Sequence, residues 1–363
     1  MKKIVDGKKI KKELKELEAR HEEKVEQKRH FSREGEIKLY YGKDNIVPGS
    51  LVLEGGAFRG LYTAGVLDCL IDNDINMARC AGISAGGLNG TNYLAGCRGR
   101  SGLGILMNRY NPEYVGAEAV VESGSVVGFK VMFEDFNKIQ QLNEERLFGK
   151  ERELSVGCTN METGEIEYFS STLGKDTFFK ALRATASMPL LSKMVKIGNN
   201  KYLDGGCHSK FPIDYALENN WEKIVVVSTR PLSYRRKEVP SEYKVEKVRY
   251  RKYPKFLESC LKSNTKYNED CEKMQQLQKE GKIFVIEPSE TVNVSRLEKD
   301  MEKLGSLYEL GYKDANKLIP ELKKYLGLET EEEKVTEVYK KPTLKDNIKK
   351  IFSSVTSLFH KKK

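Results

Sequence analysis

The sequence predicts an α/β fold: three layers, with a mostly parallel central sheet between helices and a helical extension at each end. Two features point to it. From residue 49 onward, short β-rich apolar runs alternate with amphipathic stretches, which is how βα units of a mostly parallel sheet read in sequence. The runs SLVLEG, ARCAGIS, LSVGC, IVVVST and KIFVIE are the strand candidates, and helix candidates fall between them at 61–71, 85–94, 177–186 and 213–218.

The elements follow in order along the chain. Residues 1–48 are dominated by Lys and Glu, with Ile10, Leu14 and Leu17 at helical spacing, and read as a charged helical N-terminal extension without a chemical motif. Residues 49–290 hold the alternating pattern and form the expected main domain. Within it, residues 234–280 are highly charged and rich in Tyr and Lys, and read as a basic insertion or cap. Beyond Pro288 the pattern is helical. Leu297, Met301, Leu304 and Leu307, then Leu318, Leu322 and Leu326, recur at helical spacing within a C-terminal region of 291–339. Residues 340–363 form a basic amphipathic tail, and no internal repeat is visible.

Composition narrows the function classes. The 363 residues are 39% hydrophobic and 32% charged, as in a soluble globular protein with a polar surface. No run approaches the ~18 apolar residues of a membrane-spanning helix. The start, MKKIVDGKKIKKELKEL, is positive but lacks the apolar core of a signal peptide, so a cytoplasmic location is expected. The seven cysteines are scattered without a CxxC pair, which signals neither a disulfide framework nor a zinc site. The net charge of +10 calls for an anionic partner: nucleic acid, an anionic membrane surface or an acidic small molecule.

Three segments carry chemistry. In LVLEGGAFRG, residues 51–60, a strand stops at glycines and gives way to a helix, a turn whose backbone amides suit a phosphate or a transient oxyanion. Ala57 breaks a dinucleotide G-x-G-x-x-G reading from Gly55, and no Lys-Ser/Thr pair makes a P-loop. In ARCAGISAGGLNG, Gly82, Ser84 and Gly86 form G-x-S-x-G between a strand and a helix. That is the context of a nucleophile elbow, where small residues are needed on either side of the serine. A nucleophilic serine needs a base. Of the four histidines, His21 and His30 lie in the N-terminal extension and His360 in the tail. His208 follows Asp204 by only four residues in YLDGGCHSK, a gap too short for the usual Asp and His on separate loops. The simpler base is therefore Asp204 itself.

GGAFRG, GISAG and the aspartate of DGG, in this order, resemble the patatin-like phospholipases, and ATASMPLLSK at 184–193 is similar to the segment that precedes the aspartate in that family. The resemblance covers roughly residues 50–230, and the helical region to about 326 is similar to a bacterial branch. It implies a lipid acyl hydrolase that uses no cofactor or metal, with Ser84 as nucleophile and Asp204 as general base. The oxyanion hole would be the 55–60 turn, with amides of Gly55, Gly56 and Ala57 and that of Ala85 beside them, Arg59 reinforcing the turn and Gly60 closing it. Gly82 and Gly86 would shape the elbow, and Gly205 and Gly206 complete the DGG motif. Many members carry a third glycine where this chain has Ala57. Two alternatives stay open: a non-catalytic lipid- or anion-binding protein of this fold, and a nucleotide-binding protein using the Gly55–Gly60 loop.

The positive charge is concentrated. The stretch 234–255 carries nine Lys or Arg against three Glu, interleaved with four Tyr, and the tail carries eight Lys against one Asp. In the tail, Leu344, Ile348, Ile351, Phe352, Val355, Leu358 and Phe359 fall along one helical face, the form of an interfacial membrane anchor or of a helix docked on the protein itself. The rest of the chain is slightly acidic. An anionic membrane surface, met peripherally through 340–363, is thus the expected partner alongside a lipid acyl ester, and nucleic acid is not.

Overall fold

A computed structural model of the chain describes residues 45–328. Most of the expected N-terminal extension, the end of the 291–339 region and the 340–363 tail lie outside the described residues.

In chain order the elements are β1 (Val47–Leu53), α1 (Gly60–Asp72), β2 (Met77–Ile83), α2 (Ala85–Leu94), α3 (Arg100–Asn108), α4 (Ala117–Ser123), α5 (Phe136–Ile139) and α6 (Glu144–Leu147). They continue with β3 (Glu153–Asn160), β4 (Ile166–Ser170), α7 (Lys175–Thr185), β5 (Val195–Ile197), β6 (Asn200–Asp204), α8 (Ile213–Glu218) and β7 (Ile224–Val227). The last are α9 (Tyr243–Arg249), α10 (Pro254–Lys279), β8 (Ile283–Ile286) and α11 (Met301–Leu326). β3, β2, β1, β7 and β8 lie side by side and parallel, while β4 and β6 run antiparallel to β3 and β5 pairs with β6.

Alternate residues of the parallel strands feed two different cores, which makes the three layers. Leu51, Leu53, Val225 and Val227 join α1, α7 and α11 on one face; Val52, Ile224 and Val226 join α8 and α10 on the other. The expected strands are all present. β4, β5 and β6 were not anticipated, and neither were α3 to α6.

The charged stretch 234–280, read as an insertion, holds the connection from β7 to β8. Its second half is the 26-residue α10, opened by Pro254, which suits a first helical turn, and laid on the sheet through Phe256, Cys260, Tyr267, Cys271 and Met274.

The C-terminal region after Pro288 forms α11. Asp300 caps it by accepting from the amides of Glu302 at 3.0 Å and Lys303 at 3.2 Å, and Gly327 ends it at a φ of 73°. α11 lies backbone to backbone against α1. A Cβ on Gly65 would stand 2.0 Å from the Tyr308 carbonyl oxygen, and one on Gly311 would stand 2.1 Å from that of Tyr62. Side chains lock the crossing: Tyr62 donates to Asp314 at 3.2 Å, Tyr308 to Asp68, and Tyr312 to Asp72 at 2.9 Å. Asp72 is also held by both arms of Arg98 at 2.7 Å.

Replacing glycine by alanine inside a helix normally gains up to about 1 kcal/mol from propensity. Gly65→Ala and Gly311→Ala are expected to do the opposite, each lowering stability by roughly 1–3 kcal/mol or more because the backbones must separate. Chemical denaturation of the two variants measures the sign.

Candidate functional site

β2 stops at Ile83, and Ser84 turns the chain into α2 with a φ of 53° and a ψ of −121°. A serine held there is strained, typically by about 1–3 kcal/mol. The glycines on either side are required sterically. A Cβ on Gly82 would lie 2.5 Å from the backbone of Gly86 and Gly87, and one on Gly86 would lie 2.4 Å from the Leu53 carbonyl oxygen. The elbow is pinned to β3 through Thr185, whose hydroxyl accepts from the Ser84 amide at 2.9 Å and donates to the Gly157 carbonyl at 2.6 Å.

Register brings Asp204 to the same spot. β4 occupies one edge of β3 from Ser155 to Thr159, so β2 and β6 share the other edge. β2 ends with Ile83 opposite Gly157, and β6, running the other way, ends with Asp204 opposite Cys158. The two strand ends face each other on successive rungs, and Ser84 Oγ donates to Asp204 Oδ2 at 2.7 Å. The other carboxylate oxygen, Oδ1, accepts from the Gly206 amide at 2.7 Å, and the Asp204 amide donates to the Ser187 carbonyl at 2.9 Å. Thr159 adds a hydroxyl bond to the Asp204 carbonyl at 2.9 Å. Gly205 is a steric necessity, since a Cβ would sit 2.3 Å from the Gly157 carbonyl oxygen.

Ser84 and Asp204 are 8% and 6% exposed, a nearly enclosed pair at the surface of the core. Burial pushes the Asp204 carboxyl above its ordinary value; the charge of Lys210, the Ser84 hydroxyl and the Gly206 amide pull it back. Lys210 donates to the Gly206 carbonyl, and burial, then the charge of Arg236, bring it down to about 8.

The glycine turn lies against the elbow. A Cβ on Gly55 would be 3.3 Å from that of Ser84, and one on Gly60 would be 2.8 Å from that of Ala85. Asn89 of α2 ties the two together by donating to the Gly60 carbonyl at 2.7 Å. The Gly55 amide is spent on the Lys210 carbonyl at 3.0 Å, and that of Phe58 on the Arg296 carbonyl at 3.2 Å. Among the described residues nothing takes up the amides of Gly56 and Ala57, which leaves these two as the candidate oxyanion donors of the turn. Ala57 holds a φ of 49°, so a glycine would be relaxed where this alanine is strained. The Arg59 side chain is buried beside the turn, its guanidinium brought down to about 10 by burial against the pull of Glu54.

His208 is turned elsewhere, its Nδ1 lying 3.0 Å from Ser259 Oγ and 3.2 Å from the Gly164 carbonyl oxygen. Thr185, Asn89 and Lys210 were not singled out from sequence. Thr185 lies within the 184–193 segment already noted, whereas only a buried lysine six residues past Asp204 could have signalled Lys210. Among the described residues no group of three or more His, Cys, Asp or Glu side chains could hold a metal ion, and no helix is long and apolar enough to cross a membrane.

A serine on a strained strand-to-helix elbow is thus bonded to a buried aspartate beside a turn with two unengaged amides, at the end of a mostly parallel sheet in an α/β protein. Residues 51–217 match the family model of patatin-like phospholipases, and the chain carries a domain of that family there. Residues 253–327, from the start of α10 to the end of α11, match a second model described as a domain of unknown function, DUF6363. The uncharacterized protein YjjU of Escherichia coli (strain K12) is 26% identical over 187 residues, 50% of this chain and 52% of that protein, so the match spans about half of its length. The crystal structure of VipD from Legionella pneumophila aligns over 75% of this chain and 67% of its own, at 14% identity and a TM-score of 0.40.

Thr185→Val keeps the side chain's shape but leaves the Ser84 amide and the Gly157 carbonyl unmatched in the core. The expected loss is about 1–3 kcal/mol of stability, read as a lower urea midpoint at unchanged slope.

Proposed function

We propose that the protein is a serine acyl hydrolase that cleaves fatty-acyl esters of lipids through Ser84 and Asp204. The observation that carries this reading is the 2.7 Å hydrogen bond from Ser84 Oγ to the buried Asp204 carboxylate, beside a turn that offers two amides. The domain family supports the lipid class of the substrate.

Asp204 takes the proton as Ser84 Oγ attacks the ester carbonyl. The amides of Gly56 and Ala57, with that of Ala85 at the start of α2, receive the charge that develops on the carbonyl oxygen. The alcohol leaves with a proton, and water activated by Asp204 then attacks the acyl-serine to release the fatty acid. Burial strengthens the base, and the Gly206 amide keeps the second oxygen fixed so that the first stays aimed at Ser84.

A fluorophosphonate probe should label the wild type, and labelling should vanish in Ser84→Ala; a wild type that never labels favours a non-catalytic binding protein. Asp204→Asn should fold normally and lose turnover by at least about 10³-fold, as when the base of such a unit is removed. The acid limb of the pH–rate profile reports ionisation of Asp204. Because its carboxyl is raised, activity should fall at a pH above the ordinary carboxylate value of 3.8. Lys210 opposes that rise, so Lys210→Met should move the limb to still higher pH.

Delivery to a membrane is proposed for residues 340–363 on their sequence alone. Polar replacements of Ile351, Phe352 and Phe359 should abolish co-sedimentation with anionic vesicles while leaving turnover of a water-soluble ester unchanged; undiminished binding removes this role.

A further inference from the structure

The outward side of α9 carries apolar residues where a solvated helix places polar ones. Val245 and Val248, three residues apart and so on one face, are 59% and 72% exposed, and Val239, just before the helix, is 58% exposed. Exposed valines scattered singly are ordinary on a protein surface, but a cluster in one short stretch marks a surface with a use. The opposite side of the helix is already occupied. Glu246 and Tyr250 are buried there, and Tyr243 packs with Tyr250, Phe256 and Leu257 in one apolar cluster.

Cations frame the valines. Lys244 and Lys247 lie along one flank of the Val245–Val248 pair and Arg249 along the other. Arg251 and Lys252 follow the helix and Lys237 precedes it, all exposed. The ion pairs of this stretch, Arg235 with Glu272 and Glu242 with Arg296, use none of these six residues. Among the described residues no ion pair neutralises them, and the exposed acid between them is Glu238 alone.

The inner side of α9 ties this face to both halves of the site. The Tyr250 hydroxyl accepts from the Leu190 amide at 2.9 Å, in the segment whose Ser187 carbonyl receives the Asp204 amide. Glu242, at the start of the helix, pairs at 3.1 Å with Arg296, whose carbonyl receives the Phe58 amide of the glycine turn.

The chemistry of the patch selects its partner. One seven-residue helix is small beside the ~800 Å² that each side of a stable protein interface buries. Single-stranded nucleic acid is held by cations interleaved with aromatic rings on which bases stack, and here Tyr243 and Tyr250 are turned inward. Exposed aliphatic side chains framed by Lys and Arg suit the headgroup layer of an anionic bilayer, where the valines reach the acyl boundary and the cations meet lipid phosphates.

We propose that the outward face of α9, from Lys244 to Lys252 with Val239 beside it, is a docking surface for an anionic lipid bilayer. It adds to the contact proposed for residues 340–363, because stable anchoring of this reversible kind takes two signals. Docking itself does not depend on the acyl-hydrolase reading, but its use does: it would bring lipid esters to the side of the molecule where Ser84 lies.

The test uses the full chain carrying Val248→Cys. All seven native cysteines are buried, so an environment-sensitive nitrobenzoxadiazole dye attaches at the new thiol. Phosphatidylserine–phosphatidylcholine vesicles should shift its emission to the blue and brighten it. Pure phosphatidylcholine should not, and high salt should reverse the shift. The control is Val121→Cys on α4, a valine 88% exposed but next to Glu122, which should stay silent. In the otherwise unaltered chain, joint replacement of Lys244, Lys247 and Arg249 by Gln should lower vesicle partitioning roughly 100-fold, at about fivefold for each cation near the surface. Turnover of a water-soluble ester should be unchanged, and thermal melts confirm folding. A dye silent at Val248→Cys while the chain still co-sediments with vesicles overturns the α9 surface and leaves the tail as the anchor. Equal shifts at both positions overturn it as well, since exposure alone then explains the response. A shift with single-stranded RNA but not with vesicles makes the face a nucleic-acid site and overturns the membrane assignment. A shift confined to Val248→Cys in a chain whose Ser84 takes no fluorophosphonate upholds the docking surface and fails the hydrolase reading.

Discussion

The edge of β3 opposite β4 is the constraint on which the rest of the site depends. Two strands of opposite direction share it, and their ends meet at Gly157 and Cys158. Any shift of register by one residue would turn Asp204 to the other face of the sheet. Gly157 makes the meeting possible: a Cβ there would lie 2.5 Å from Ile83 Cδ1, and its carbonyl receives the Thr185 hydroxyl that steadies the elbow. The strain at Ser84 is thus set against a surrounding of backbone bonds, including that from the Leu88 amide to the Ser84 carbonyl at 3.1 Å.

The glycine turn depends on a second support, distant in sequence. α1 carries the turn at its N-terminus, and α11 holds α1 from behind through the glycine crossing and the Tyr–Asp pairs. The connection leading into α11 also touches the turn directly, through the Arg296 carbonyl. The region matching DUF6363 therefore acts as the back wall of the site and is packed into the same core as the patatin-like domain.

The parallel strands were legible because they are buried on both faces and read as apolar runs bounded by glycine and polar residues. The elbow and the glycine turn were legible because their sterics admit few residues. β4, β5 and β6 were not, since they are short antiparallel strands at one end of the sheet, half exposed and rich in Lys, Glu and Tyr. α10 was hidden by its surface. Its lysines and glutamates mask a buried stripe at helical spacing from Phe256 to Met274, so the charge suggested an insertion where a crossover helix lies. The spending of the Gly55 amide on Lys210 could not be read from spacing, because it depends on how a segment 155 residues later lies against the turn.

In the proposed reaction, Lys210 resolves a conflict built into the serine–aspartate pair. A carboxylate of ordinary pKa is too weak a base for a serine hydroxyl, and burial corrects this by raising it, but a carboxyl raised too far is protonated when it is needed. A cation bonded directly to Asp204 would restore ionisation at the cost of the lone pair that Ser84 uses and of the gained basicity. Lys210 instead donates to the Gly206 carbonyl, while the Gly206 amide donates to Asp204 Oδ1. Its charge therefore reaches the carboxylate across a single residue, Gly206, and without occupying Oδ2, so that ionisation is favoured while the oxygen facing Ser84 stays free to accept a proton.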